Sequence, residues 1–442
     1  LEFRLSAPAS PQRPAARGTG RRTLFSWALY DWANQAFPTL IQTFVFSVYF
    51  TQAVAENVET GTAQWGNAMG VAGFMVAIAA PVLGAMADQH ERRMPWIMFF
   101  TLLCCVATAS LWFVMPSTEF VLPALVLVAL ATIGSELALV FYNSLLPRLA
   151  PPKEIGRWSG WSWGIGYAGG LLCLAIVLFI FIRSGGAPLG LDTAAAEHVR
   201  ATALFVAAWY LLFAVPLFVF VPDLPGHGKT AAQSVRDGLA QLWETLRTVR
   251  RYKTLVRFLV ARMFYIDGLA TLFAFGGIYA AGTFGMSVET VLAFGIAMNV
   301  ASGLGAFAFG WIDDWLGSRT TILVSLVGLL IPGIAVLLVE SQTLFWIFAL
   351  ALGLFVGPVQ AASRSLLAHM APRDLQNQMF GFFALSGKAT AFVGPLMVGW
   401  VTYWFSSQRV GMATIIVFFA VGLAILRTLP PQETLALQAD RA

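Results

Sequence analysis

In "ALYDWANQAFPTLIQ", residues 28 to 42, an aspartate stands inside an apolar stretch that runs from Leu24 to about Gln52. An ionised Asp in hydrocarbon costs at least ~2.5 to 3.5 kcal/mol, so such a carboxylate faces protein or water. Asp31, Gln35, Pro38 and Gln42 follow at steps of four, three and four, which puts them on one helical face. Further along, Glu136 and Asn143 share a face by their spacing of seven, and Arg262 and Asp267 lie together in another apolar run. Gly353, Gly357, Gln360 and Arg364 form a polar and small-residue stripe, and Lys388 follows Gly387. Three acids and three bases in apolar surroundings can neutralise one another as ion pairs. Alternatively, one acid is left unpaired and desolvated and takes up a proton. Asp31 is the first candidate for proton coupling, followed by Glu136 and Asp267. Arg364 either snorkels to an interface or offers a carboxylate or phosphate its planar fork. With Tyr30, Gln35, Asn143, Gln360 and Lys388 it makes up the expected substrate-binding set. The aromatic residues nearby serve equally well as interfacial anchors.

The 442 residues are 58% hydrophobic and 11% charged, with a mean hydropathy of +0.74. Soluble chains average about 45 to 50% apolar and about 25% charged, so this is a polytopic membrane protein. The three cysteines, Cys104, Cys105 and Cys173, lie in apolar runs without metal-ligand spacing, and His90, His198, His227 and His369 are scattered. No phosphate-binding loop and no Ser/His/Asp set is visible. Neither an enzyme nor a cofactor is expected, and the basic balance, pI near 9.3, reflects membrane topology rather than nucleic acid.

At ~20 residues per span, twelve helices are expected, near 24–52, 64–87, 95–115, 120–146, 158–182, 201–221, 254–282, 290–312, 319–339, 343–367, 379–405 and 410–427. Of the 27 Lys and Arg, 21 fall on the side of the two termini, while Arg183, Arg200 and Arg409 fall opposite. That bias places both termini in the cytoplasm. Residues 1–23 read as a disordered basic tail without a signal peptide, and 428–442 as a second tail. Between the bundles 24–221 and 254–427 lies a linker, 222–253, in which Val235, Leu239, Leu242, Leu246 and Val249 recur at helical spacing. This pattern suits either an amphipathic interfacial helix or a solvated connection.

The two bundles repeat one another. "GAMADQHERR" from Gly84 and "GWIDDWLGSR" from Gly310 align at an offset of 226, matching Gly84, Asp88 and Arg93 to Gly310, Asp314 and Arg319. "NSLLPRLAP" and "RSLLAHMAP" align at 221, and Gly160 and Gly166 then match Gly381 and Gly387. Gly permits close helix approach, while the Asp and Arg can bridge a neighbouring helix end. Asp88, Arg92, Arg93, Asp314 and Arg319 are therefore the expected gating residues; a single copy of such a loop would be merely wet.

Duplicated six-helix halves with this loop after spans two and eight resemble the major facilitator superfamily, from about residue 23 to 427. "WALYDWANQAF", "FYNSLLPRLA", "SGWSWGIGYAGG", "QAASRSLLAHMAP" and "GKATAFVGP" are similar to its vacuole-effluxer-like branch, whose fungal members are vacuolar amino-acid exporters. His90 and Glu91 depart from the superfamily pattern, which has a Gly near Glu91. The resemblance implies an all-α membrane protein with twelve transmembrane helices in two pseudo-symmetric six-helix bundles. Spans one, four, seven and ten would line the cavity, with Asp31, Glu136, Asp267 and Arg364 pointing into it. The expected function is secondary active transport of a small polar or zwitterionic metabolite, with amino-acid export coupled to protons as the family-guided reading. An uncoupled facilitator or exchanger of a sugar, nucleoside or lipid-like solute, and a non-transporting receptor using the 222–253 loop, remain open. The expected partners are substrate, protons and membrane lipids around a monomer in a bacterial inner membrane.

Overall fold

A computed structural model describes residues 20–223 and 253–431, except 57, 91, 184–188, 287, 373–374, 392 and 406, together with 236–237, 240, 243 and 244. Both tails and most of the 222–253 linker, including its expected amphipathic helix, lie outside the described residues. The helices are α1 (Arg21–Asn34), α2 (Val58–His90), α3 (Met94–Ser110), α4 (Val121–Leu149), α5 (Ile155–Ile176), α6 (Glu197–Phe220), α7 (Lys253–Phe284), α8 (Val288–Leu316), α9 (Ser318–Leu338), α10 (Gln342–Met370), α11 (Gln376–Lys388), α12 (Val393–Phe405) and α13 (Gln408–Arg427). Among the described residues, eleven rods, with α11 and α12 counted as one, are long and apolar enough to cross a membrane.

The first expected span is a rod of pieces. After α1 the chain runs through π-helical turns at Phe37–Phe44 and Phe50–Val54, with a short α segment Phe46–Tyr49 between them. Pro38 has no N–H for the carbonyl of residue 34, and the chain re-pairs at wider spacing, Val45 N–H donating to Leu40 O at 2.9 Å. This break, which hydropathy does not reveal, accounts for the difference between the eleven rods and the twelve expected spans.

The two halves meet through glycines in a twofold-related pattern. A Cβ on Gly381 of α11 would fall 2.5 Å from Ala80 O of α2, and one on Gly160 of α5 would fall 2.5 Å from Ala306 O of α8. Ala80 and Ala306 are 226 apart and Gly160 and Gly381 are 221 apart, the two offsets of the repeat. The duplicated sequence thus makes the same crossing twice, α2 against α11 and α8 against α5. Within the second half, Gly305 lets α8 meet α10, a Cβ there falling well inside contact distance of Leu354 O. Gly305→Ala must push two helix backbones apart and is expected to destabilise the protein by about 1–3 kcal/mol, the usual range for overpacking. Thermal unfolding in detergent measures it.

The first and last described helix ends, at Thr23 and Thr428, lie on one side, which we call the terminal side. Arg257 donates to Thr428 O at 3.2 Å, Thr23 to Phe220 O at 3.3 Å, and Arg93 of the first half reaches Asn377 of the second.

Candidate functional site

Arg364 sits on α10, where its helix face meets α1, α4 and α5 of the other half. It is 3% exposed and makes four hydrogen bonds across the seam. Nη1 donates to Asp31 Oδ2 at 3.0 Å and Asn143 Oδ1 at 3.2 Å, Nε to Ser159 Oγ at 2.9 Å, and Nη2 to Ser159 O at 2.6 Å. The indole of Trp27 lies 5.1 Å from the guanidinium carbon and that of Trp163 at 5.9 Å, within cation–π range. Asp31 also accepts from the Ser162 hydroxyl, and Ser162 bonds Tyr142 Oη at 2.9 Å. The fork is thus filled by protein on nearly every edge, and Arg364 acts here as a clasp between halves rather than as a free receptor for an anion.

A second pair lies beside it. Lys388, at the end of α11, places Nζ 2.7 Å from Glu136 Oε1 on α4. Both side chains keep about a third of their surface, 33% and 28%, so water reaches this pair while the first is nearly dry. In both pairs the acid belongs to the first half and the base to the second.

Beyond these pairs, away from the terminal side, a cavity of about 480 Å³ opens between the halves. Most of its lining comes from the π-helical rod that follows α1 and from α4, α5, α7, α8 and α10, with Glu136 among the lining residues. Gln35, Gln42, Ser135, Trp163, Tyr167 and Gln360 give one polar wall; Leu272, Phe273, Phe294, Met298, Phe345 and Leu352 give an apolar one. Gln360 donates to Tyr167 Oη at 3.3 Å, whereas the buried Nε1 of Trp163 has no hydrogen-bond partner among the described residues. A group this costly to leave unsatisfied is a natural contact for a bound solute.

On the terminal side the seam is shut. Asp314 at the end of α8 accepts from Arg157 N–H at 2.9 Å and from Arg157 Nε at 3.1 Å, capping the first turn of α5. A carboxylate suits the positive end of a helix dipole. At the twofold-related place, Arg93 Nε donates to Asn377 Oδ1 at 2.7 Å on the first turn of α11, and Arg148 donates to Gln376 Oε1 at 3.1 Å. His369 repeats the position of Arg148 and reaches Pro152 O at 3.0 Å.

The structure therefore brings together Asp31, Asn143 and Arg364, Glu136 and Lys388, and Gln35 and Gln360. Other expected site residues lie elsewhere. Tyr30 does not reach the cavity: it is fully buried within the first half, bonded to Thr101 Oγ1 at 2.6 Å and Tyr210 Oη at 3.0 Å, because one step along the helix from Asp31 turns it about 100° away. Asp267, 2% exposed, is outside the cavity lining; its Oδ2 accepts from Gly394 N–H at 3.2 Å at the start of α12, where the α11–α12 rod is interrupted. Arg262 belongs to the same bundle, lying 3.5 Å over Phe383 and donating to Phe383 O and Ser386 Oγ. Of the expected gating residues, Arg319 ties to Arg427 O within its own half, Arg92 is exposed, and the side chain of Asp88 lies outside the described residues. Ser159, Ser162, Arg157 and Asn377 were missed. Hydroxyls and amides in an apolar helix carry no hydropathy signal, but Arg157 and Asn377 sit where the two repeats place a helix start.

The Vacuole effluxer Atg22 like family matches residues 67–434. The chain belongs to that family. An uncharacterized MFS-type transporter of Bacillus subtilis, YxiO, is 27% identical over 412 residues, covering 92% of this chain and 95% of that one. Autophagy-related protein 22 of Kluyveromyces lactis is 23% identical over 388 residues, 80% of this chain and 76% of the fungal one. Among solved structures, the proton:xylose symporter XylE superposes with a TM-score of 0.72 at 13% identity, over 93% of this chain and 96% of that one. The human organic anion transporter MFSD10 gives 0.70 at 16% identity, over 92% and 99%. At these identities the likeness is one of fold. This vacuole-effluxer-like chain is an integral, multi-pass transporter of the major facilitator superfamily and not an enzyme.

Proposed function

We propose that the protein is a secondary active transporter that moves a small zwitterionic metabolite, with amino acids as the first class to test, by rocking its two halves about the seam. The observation that carries this reading is the pair of acid–base contacts across the seam, Asp31–Arg364 and Glu136–Lys388, beside a cavity open to the far side that Glu136 lines. A zwitterion presents a cation and an anion, and these can replace Lys388 and Glu136 as each other's partners once the solute enters. The wetter pair is the one placed to exchange in this way. Taking up a proton on Asp31 or Glu136 removes the charge that holds the seam, so the terminal side opens and the proton leaves there. With the terminal side cytoplasmic, solute that binds there after the proton has left returns with the halves to the far side, and the cycle exports solute against protons.

The relatives support the reading in kind: a family described as vacuole effluxers and a structural neighbour described as a proton symporter. Reconstituted protein is expected to accumulate at least one amino acid when an inward or outward pH gradient is imposed. Flux of every tested solute that ignores the gradient would remove the coupling, and an absence of flux for all solutes would remove the transport reading itself.

A further inference from the structure

The closed terminal-side seam contains a carboxyl that none of the contacts above use. Asp313 precedes Asp314 on α8 and is 4% exposed. A Cβ on Gly156 would fall 2.5 Å from its Cγ, so the carboxyl is pressed against the first turn of α5, and separation of α5 from α8 would bare it to water. Neither oxygen has a hydrogen-bond partner among the described residues. The hydroxyls of Ser318 and Ser365 stand beside it and bond each other at 2.7 Å.

The charges around it do not compensate for its own. Asp314, on the same helix, takes Arg157 of α5, and Glu154 lies 3.8 Å from that same guanidinium. Arg319 on α9 is turned to Arg427 O, and His369 on α10 faces Ser365 O and Pro152 O. An ionised carboxylate with no cation, and beside it only two hydroxyls that already bond each other, is disfavoured in such a place. A protonated one supplies the O–H that a serine oxygen can accept.

We propose that Asp313 is a proton-binding site that fills when the terminal-side seam closes and empties to the terminal side when it opens. One proton is bound for each closure, and it returns to the compartment it came from. Asp313 therefore senses pH on that side rather than carrying protons across. The sign is opposite to that of the ion pairs: closure at Asp313 needs the acid neutral, whereas Asp31 and Glu136 hold the seam only when charged. One carboxyl and two hydroxyls offer fewer oxygens than the about six to eight that a hard cation such as calcium gathers. The inference rests on the alternating-access reading only in taking the seam to open.

Spin labels on cysteines placed at Lys153 and Arg257, exposed on opposite halves, report the seam, and the three native cysteines are buried. In the full-length protein the ratio of short to long distances should fall with rising pH, by up to about tenfold per unit, as one-proton linkage requires. Asp313→Asn should lose this fall and hold the short distance as pH rises, leaving only the opening at acid pH that protonation of Asp31 or Glu136 gives, while His369→Gln keeps the Asp313 step. An unchanged slope in Asp313→Asn, a flat wild type, or a short distance governed by sodium at fixed pH would each overturn the proposal. Infrared spectra give a second reading: the C=O stretch of a protonated carboxyl in the wild type should vanish in Asp313→Asn, and its absence from the wild type contradicts the assignment. A pH slope that survives where solute flux fails would sink the transport reading and leave this one standing.

Discussion

Arg364→Ala is expected to cost the folded protein about 3–5 kcal/mol and to abolish transport, because it strands Asp31 and the Ser159 carbonyl at the driest point of the seam. The loss should exceed that of Asp31→Asn, since Arg364 makes four hydrogen bonds with three residues of the other half, whereas across the seam Asp31 bonds Arg364. Arg364→Lys should recover little. An ammonium can meet Asp31 but cannot also span Asn143 and Ser159, which the planar fork does at once. Denaturant or thermal unfolding gives the stability term, and flux in proteoliposomes the functional one. An Arg364→Ala protein as stable and active as the wild type would mean that the clasp is incidental.

The second large effect is expected at the wetter pair. Glu136→Lys sets two cations where a 2.7 Å ion pair stood, and the seam should lose its closed form with at least about a tenfold fall in flux, equivalent to ~1.4 kcal/mol. The native pair itself is worth less, about 0–1 kcal/mol at this exposure, so the reversal acts mainly through repulsion. Combining Glu136→Lys with Lys388→Glu restores opposite charges and should bring back most of the closed population, as spin-label distances would measure. Recovery of closure without recovery of solute affinity would assign the two residues to substrate as well as to the seam. No recovery of either would show that their positions, and not their charges, matter.

Much of the architecture was legible beforehand because burial in a bilayer is written in hydropathy and because duplication leaves two offsets. Gly84, Gly160, Gly310 and Gly381 were aligned as repeats, and the crossings α2–α11 and α5–α8 follow from them. The depth of Asp31, Glu136, Arg364 and Lys388 was equally readable, since charges inside apolar runs are conspicuous. Their partners were not, because pairing depends on which faces meet across the seam. Tyr30 shows the limit most simply: its neighbour points to the other half while its own hydroxyl is locked to Thr101 and Tyr210. The interruption at Pro38 and the one between α11 and α12 also escaped, since neither changes mean hydropathy. Asp313 and Arg157 went unread because charge near the end of a span is ordinary; only packing against Gly156 and capping of α5 make them unusual.

The most direct test of coupling across the seam is transport by Asp31→Asn in proteoliposomes, with gradient-driven accumulation and solute counterflow measured on the same preparation. The account predicts that accumulation is lost while counterflow persists, because the neutral amide still lets the halves rock but no longer exchanges a proton with the gradient. Accumulation at the wild-type level would contradict it and leave Asp31 as a latch alone.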